Sequence, residues 1–539
     1  MNLSILLILG IVIGCLLAGK NLIHFFQLES YQFPGYFRTL RRNPLKALLP
    51  GFCMMILLII TLLLSVAASP DVSWVHYVFD SVILIAGGWM IGRSFSEKNV
   101  KKAFVLTPRV KRLYIVSLVV LTAILLFATR RIDPSGGLKT TGEKIAVGFV
   151  MIFPALLPLW IALCGLVAWP IEKGISELYF RDAQRILKSR KDLIRIGITG
   201  SWGKTSVKFI LGTILEEKYH TLVTPASFNT PMGVTKVIRS KLEPGHRVFV
   251  AEMGARHVGD IKEMCRLVHP EIGILVSVGP QHLDTFKTLE RVIQTKYELI
   301  DALPKDGQAF FADDDDICRG LYEKTGKKKM IAGLDPDYDD VWAENISYSP
   351  EGSAFDLCTK DKRIHCCSQL LGELNIRNIL LCSAVALKLG VTIEQIARGI
   401  EKIRPVEHRL QRVPNPGGMS VIDDAFNSNI RGAKQAFQVL KAFPKKRIVV
   451  TPGMVELGEK EYEMNSEFGQ AMAECCDIAI LIGKKRSQAV REGLRAGGFA
   501  ENSTHVVSSL DEATGLLRQI VKPGDTVLFE NDLPDNYSE

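Results

Sequence analysis

Hydrophobic positions divide this chain into two parts with different periods. Before residue 170 they form long runs almost free of charge: Leu3 to Gly19, Ala47 to Ala68, Trp74 to Ile91, Leu113 to Thr129 and Ile145 to Trp169. Each approaches the ~20 residues that cross a hydrocarbon core of ~30 Å. A single run is compatible with a buried soluble helix; five in succession predict an α-helical membrane domain over residues 1–170. Across residues 171–194 the pattern turns amphipathic. Ile175, Leu178, Tyr179, Ala183, Ile186 and Leu187 recur at helical spacing among Lys and Arg, which predicts an interfacial connecting helix or a solvated linker helix.

From Leu193 onward the apolar runs shorten to strand length. Leu193 to Ile198, Arg247 to Glu252, Ile272 to Val278 and Gln308 to Ala312 read as strands, and Val207 to Glu217, Leu289 to Leu303, Leu374 to Leu389 and Ile393 to Ile403 as helices. Short apolar strands alternating with helices predict an α/β domain over residues 195–404 with a largely parallel sheet. Near Arg404-Pro405 the pattern restarts. Met419 to Ile422, Arg447 to Val450, Ile478 to Ile482, His505 to Val507 and Thr526 to Phe529 read as strands of a second, Rossmann-like domain over residues 405–539.

Charge refines this picture. A formal net charge of +9 invites a nucleic-acid reading, but the basic residues gather in loops between apolar runs. Lys20, Arg38, Arg41, Arg42 and Lys46 follow the first run; Arg93, Lys98, Lys101, Lys102, Arg109, Lys111 and Arg112 follow the third. The positive-inside rule makes both loops cytoplasmic, so five spans put residue 171 onward in the cytoplasm, where ATP is available. No nucleic-acid partner is then needed to explain the charge. His76 and Asp80, near the outer end of the third run, are expected at the solvated interface. Eleven cysteines are scattered without a Cys-x-x-Cys pair, and the adjacent pairs Cys366-Cys367 and Cys475-Cys476 suit neither a disulfide framework nor a zinc site. A reducing environment fits this usage.

The candidate chemistry begins at Ile196 to Ser206, where an apolar strand breaks into Thr199-Gly200-Ser201-Trp202-Gly203-Lys204-Thr205-Ser206. Glycines let backbone N–H groups approach phosphate oxygens, Lys204 reaches the outer phosphates, and Thr205 offers a hydroxyl to Mg²⁺. A helix following the loop points its positive end at the anion. The strict P-loop pattern is not met, because Ile198 stands where its first glycine belongs. Further polar groups fall at strand ends, where open α/β sheets bind ligands. Glu252 ends its strand as a candidate carboxylate for Mg²⁺, and His282 follows its strand as a second candidate ligand. Asn375 and Asn378 are able to read an adenine edge, although Asn375 serves equally as a helix cap. Asp423, Asp424, Asn427 and Asn429 crowd the end of a strand in the second domain.

These stretches resemble the Mur ligase family, the ATP-dependent enzymes that add amino acids to peptidoglycan precursors, and most of all its D-alanyl-D-alanine-adding (MurF-type) branch. The matching residues are Ile198 to Ser206, Ser227 to Val234, Glu252 to Ala255, Gly279 to Leu283, Gly372 to Asn378, Asp423 to Asn429 and Gly453 to Gly458, in family order. The resemblance implies an α-helical membrane domain followed by a P-loop Mur ligase central domain and a Rossmann-like C-terminal domain. It implies ATP and Mg²⁺, with Lys204, Glu252, His282 and Lys296 as catalytic groups. Thr199, Gly200, Ser201, Gly203, Lys204, Thr205 and Ser206 would cradle the phosphates, and Asn375, Asn378, Arg409, Asp423 and Asp424 would contact the rest of the nucleotide. Asn229, Thr230 and Asn427 would meet the substrate. Thr205, Glu252, His282 and Lys296 would organise the metal, with Lys296 matching a lysine that is carbamylated in many members.

The implied reaction joins the amine of an amino acid or dipeptide to a carboxylate of a nucleotide- or lipid-linked cell-wall precursor, through an acyl phosphate. The implied setting is a bacterial inner membrane, multi-pass, with the catalytic domains cytoplasmic and membrane lipid as a partner. Two departures bear on the substrate. Membrane runs stand where the family has a uridine-nucleotide-binding domain, and Phe529 to Tyr537 lacks the Lys-Gly-Ser-like turn typical of adding enzymes. A capsular or poly-γ-glutamyl amide ligase, or a membrane transport or assembly ATPase, is therefore the alternative reading. The Glu252, His282 and Lys296 series favours the ligase.

Overall fold

The computed structural model describes residues 5–68, 74–96, 103–130, 140–226, 228–413, 417–426, 429–455 and 457–531. The loop lysines Lys98, Lys101 and Lys102 fall outside them. The chain divides into two compact units, one within residues 1–177 and one within 178–533.

The first unit is helical. Among the described residues, four of its helices are long and apolar enough to cross a membrane, and a fifth span arises if the bent pair Ile5–Ala18 and Lys20–Leu28, at 49°, counts as one. Ile5–Ala18 packs against Trp74–Ser94 through two glycine pairs spaced four apart, Gly10 with Gly14 and Gly88 with Gly92. A Cβ on Gly88 would sit 2.2 Å from the Gly14 carbonyl oxygen, and one on Gly92 2.1 Å from that of Leu17. Small residues at this spacing let helix backbones touch. Outward-facing side chains such as Ile56, Leu63, Phe79, Ile115, Val119 and Phe127 are each more than half exposed.

Two expectations change here. Asp80 is not solvated: it is 4% exposed and accepts a hydrogen bond from Ser65 Oγ at 2.9 Å, because helix packing closes over it. The amphipathic stretch is not a separate helix either. It continues Leu157–Ser189, which follows a 3-10 turn at Phe153–Leu156 where Pro154 interrupts the helical hydrogen bonding.

The second unit holds two sheets. In the first, β1 (Ile194–Thr199), β2 (Thr221–Val223), β3 (Val248–Glu252), β4 (Ile272–Leu275), β5 (Gln308–Ala312), β6 (Lys328–Gly333), β7 (Val341–Ser349), β8 (Gly352–Thr359) and β9 (Arg363–Ser368) lie in the order β2-β3-β1-β4-β5-β6-β7-β8-β9. Pairing is parallel as far as β7, then antiparallel through β8 and β9. The antiparallel extension was not evident in the sequence pattern, because its strands alternate buried and exposed residues instead of forming apolar runs. Helices Lys204–Leu215, Glu373–Lys388 and Ile393–Lys402 bury one core with β1, β3 and β4. Each fully buried Ile, Leu or Val there contributes roughly 1.5–3 kcal/mol.

From β1 the chain builds β2 and β3 on one side and then crosses to β4 on the other. The carboxyl end of β1 is therefore a topological switch point, the place where open α/β sheets form a crevice. The second sheet comprises β10 (Gln411–Val413), β11 (Ser420–Asp424), β12 (Arg447–Thr451), β13 (Ile478–Ile482), β14 (Thr504–Val507) and β15 (Thr526–Glu530), in the order β10-β11-β15-β12-β13-β14. All but the β10–β11 pair are parallel, as a Rossmann-like domain requires.

Candidate active site

β1 delivers the chain to the switch point, and the Gly200–Gly203 loop turns it into helix Lys204–Leu215. Gly203 has φ +78°, and a Cβ there would meet Val276 Cγ1 at 2.7 Å, so glycine is required. Lys204 folds back over the loop, its Nζ donating to the carbonyls of Gly200 at 2.7 Å and Ser201 at 3.0 Å. Burial pushes its ammonium down to about 8; Glu252 opposes that shift and Arg409 adds to it.

The loop is fastened from beneath by the segment after β4. Ser277 Oγ accepts from the Trp202 N–H and donates to the Trp202 carbonyl, both at 2.9 Å, and Ser201 Oγ donates to the Gly279 carbonyl at 2.9 Å. Thr199 Oγ1 donates to the Met253 carbonyl at 3.0 Å. Thr199 and Ser201 are fully buried, so their hydroxyls tie strands and loop together.

Glu252, 1% exposed at the end of β3, is the centre of the polar cluster. Thr205 Oγ1 donates to its Oε2 at 3.1 Å, Asn229 Nδ2 to its Oε1 at 3.0 Å, and Lys208 Nζ to its Oε2 at 3.0 Å. Burial alone would raise the carboxyl, but the charges of Lys208 and Lys204 overcome it and hold it below its ordinary value. The fully buried Lys208 was not singled out from the sequence. It lies one helical turn beyond Lys204, a spacing that places both lysines on one face. Its ammonium also donates to the Ala226 carbonyl.

Lys296, 2% exposed on helix Leu289–Asp301, is driven well below its ordinary value by burial and then by the charge of Lys204. His282 is half-buried at the start of the short helix Leu283–Phe286, with φ +52°. Among the described residues no three His, Cys, Asp or Glu side chains converge as a metal site. The Thr205–Glu252 pair nonetheless supplies the donors suited to Mg²⁺, which retains waters and binds through one or two carboxylates together with substrate phosphates.

Beyond the loop an open cleft is lined by Trp202, Gly203, Ser206, Asn375, Asn378 and Arg409, together with Asp424 and Phe426. Asn378 adjoins the phosphate loop, because a Cβ on Gly203 would lie 3.3 Å from its Oδ1. Asn375 Nδ2 instead donates to the Leu371 carbonyl at 2.9 Å, holding the turn before helix Glu373–Lys388. From the segment just before β10, Arg409 stacks 4.3 Å above the Phe426 ring and donates to the Phe426 carbonyl at 3.2 Å. Burial pushes Asp424 up to about 6 against the pull of Arg409. Asp423 is engaged by His408 Nδ1 at 2.7 Å.

One contact was not foreseen: Arg431 Nη2 donates to Asp314 Oδ1 at 2.5 Å, joining the two α/β domains beside Trp202. Its signal in the sequence was the acidic turn after β5. The Thr230 hydroxyl caps helix Pro231–Lys241 by accepting from the Gly233 N–H. Asn427 lies outside the described residues. The structure thus gathers Lys204, Thr205, Asn229 and Glu252 tightly and lines a cleft beside them with Asn375, Asn378, Arg409 and Asp424.

Comparison with known proteins agrees with this architecture. Residues 198–386 match the Mur ligase middle domain and residues 408–530 the Mur ligase glutamate ligase domain. The UDP-N-acetylmuramoyl-tripeptide--D-alanyl-D-alanine ligase of Mycobacterium tuberculosis is 32% identical over 358 residues, covering 62% of this chain and 69% of its own. That of Escherichia coli is 27% identical over 354 residues, covering 64% and 78%. Among solved structures, MurF from Acinetobacter baumannii superposes with a TM-score of 0.61 at 25% identity, covering 67% of this chain and 78% of its own.

Proposed function

Because the chain belongs to the Mur ligase family and is an ATP-dependent amide ligase, we propose that it adds a dipeptide, D-alanyl-D-alanine as in its named relatives, or an amino acid to a carboxylate of a peptidoglycan precursor at a membrane surface. The observation that carries this reading is Glu252, buried beneath the phosphate loop between Lys208, Asn229 and Thr205. A carboxylate so placed serves phosphate chemistry.

In this mechanism Lys204 exchanges the carbonyls of Gly200 and Ser201 for the outer phosphates of ATP. The N–H groups opening helix Lys204–Leu215 face the same anion. Asn375 and Asn378 meet the base, and Arg409, Asp423 and Asp424 close on the nucleotide from the second domain. Thr205, Glu252, His282 and a carbamylated Lys296 would hold Mg²⁺, which when bound offsets charge on the transferring phosphoryl group. Burial shifts Lys296 toward the neutral amine, the form that reacts with CO₂, which supports the carbamate. The terminal phosphoryl group passes to the acceptor carboxylate; the amine then attacks the acyl phosphate, and inorganic phosphate leaves as the amide forms. Asn229, Thr230 and Asn427 are assigned to the acceptor side.

The outward-facing apolar side chains of the first unit support a multi-pass anchor in a bacterial inner membrane. Such an anchor favours a lipid-linked acceptor over a soluble nucleotide-linked one. Lys204→Ala is expected to stay folded and lose substrate-dependent ADP release by roughly a hundredfold, on the order of 3 kcal/mol in barrier. Normal turnover by that variant would overturn the reading. With the native protein in detergent, turnover on lipid-linked and nucleotide-linked acceptors is compared; preference for the soluble form removes the lipid assignment and leaves the ligase intact.

A further inference from the structure

The antiparallel extension of the first sheet carries a second reactive arrangement outside the ligase site. β8 and β9 pair Asp356 with His365 and Ala354 with Cys367, so Asp356, His365 and Cys367 share one face. His365 and Cys367 are exposed on that face and Asp356 is half-buried, whereas the adjacent Cys366 is 1% exposed and belongs to the core. Asp356 Oδ1 lies 2.8 Å from His365 Nδ1, and His365 Nε2 lies 3.7 Å from Cys367 Sγ. The carboxylate is anchored independently by Asn345 Nδ2 at 2.8 Å and Arg363 Nη2 at 2.7 Å. Hydrogen bonds from Asn345, His365 and Arg363 hold it well below the usual carboxylate range, so it stays ionised.

With Nδ1 engaged by Asp356, His365 turns Nε2 toward the thiol. Of the eleven cysteines, nine are buried, Cys53 is partly buried and Cys367 alone is exposed. A carboxylate orienting an imidazole that faces a thiol is the arrangement that activates sulfur nucleophiles. The set does not form a metal site among the described residues, since Asp356 engages the ring nitrogen opposite the thiol.

We propose that Cys367, with His365 and Asp356 as positioning residues, is an activated-thiol site that exchanges with low-molecular-weight disulfides. The Cys367 thiol passes its proton to His365 Nε2. The thiolate attacks one sulfur of R–S–S–R; that S–S bond breaks as the Cys367–S–S–R bond forms, and the departing R–S⁻ takes the proton from His365. The disulfide is the oxidant, reduced to one thiol as Cys367 is oxidised. The simpler role for the same contacts is a tie between strands, with Arg363 also paired to Glu344 at 3.0 Å.

The test treats the full-length protein in detergent with oxidised glutathione at about pH 6 to 9 and follows the Cys367 peptide by mass spectrometry. The comparisons are His365→Gln and Asp356→Asn, with Cys367→Ser as blank and melting curves to confirm folding. The wild type is expected to form the mixed disulfide roughly three- to tenfold faster than His365→Gln near pH ~7. Its rate profile should also carry an imidazole limb that His365→Gln loses. A strand tie would alter melting without altering that profile. Equal Cys367 rates in the wild type and whichever variant remains folded, or no modification at Cys367, would overturn the proposal.

Discussion

At the scale of single residues, the Lys204 ammonium governs how the site responds to pH. It rests on two loop carbonyls, and burial leaves it pushed down to about 8. Because the folded value lies below the unfolded one, the unfolded chain binds more protons between about 8 and the ordinary lysine value of about 10.4. The contribution to stability therefore rises with pH across that window, and the charged lysine is a cost to the site before phosphate oxygens surround it. In the free enzyme Lys204 carries its charge below about pH 8 and loses it above, so kcat/KM for ATP should fall along an alkaline limb. Lys204→Arg, which cannot lose its charge, should have lower activity and no such limb. A pH profile of both proteins checks this, and the same limb in Lys204→Arg would assign it elsewhere.

At the scale of elements, close approach of backbones decides the outcome twice. The end of β1, the Gly203 turn and the segment after β4 are bound into one rigid cradle, which explains why the helix can aim its first N–H groups at an anion. In the first unit, Ile5–Ala18 and Trp74–Ser94 touch at Gly14 and Gly88. Gly88→Leu should force them apart and lower thermal stability in detergent by about 1–3 kcal/mol, the usual cost of overpacking. Gly148→Leu is its control, since nothing lies within 4 Å of the Cβ position there. Equal melting of the two variants would show that the glycine contact does not hold the helices.

For the whole molecule, a ligase of the Mur family is joined in one chain to helices whose large apolar side chains point outward. A helix surface of that kind is stable against lipid and prone to aggregate in water. Alkaline carbonate washing of membranes is therefore expected to leave the full-length protein in the pellet. Release into the supernatant would remove the anchor and, with it, the argument for a lipid-linked acceptor.

Much of this was legible in order along the chain, because the governing physics is local. Run length separates the long apolar helices from strands, glycine spacing marks the phosphate loop at Gly200 and Gly203, and carboxylates such as Glu252 end apolar strands. Asn378 was legible from its place near a helix start and Arg409 only through motif resemblance, and both line the cleft beside the loop. Local patterning does not say which distant groups meet. Lys208 becomes a partner of Glu252 only when β3 pairs with β1, and Ser277 fastens the loop only because β4 takes the other side. Arg431 finds Asp314 across more than a hundred residues of chain. Cys366 and Cys367 look equivalent in the sequence; strand pairing sends one into the core and sets the other beside His365. The sequence determined the elements and the chemical types at their ends, whereas sheet order and packing, which depend on long-range burial, decided which of those groups became neighbours.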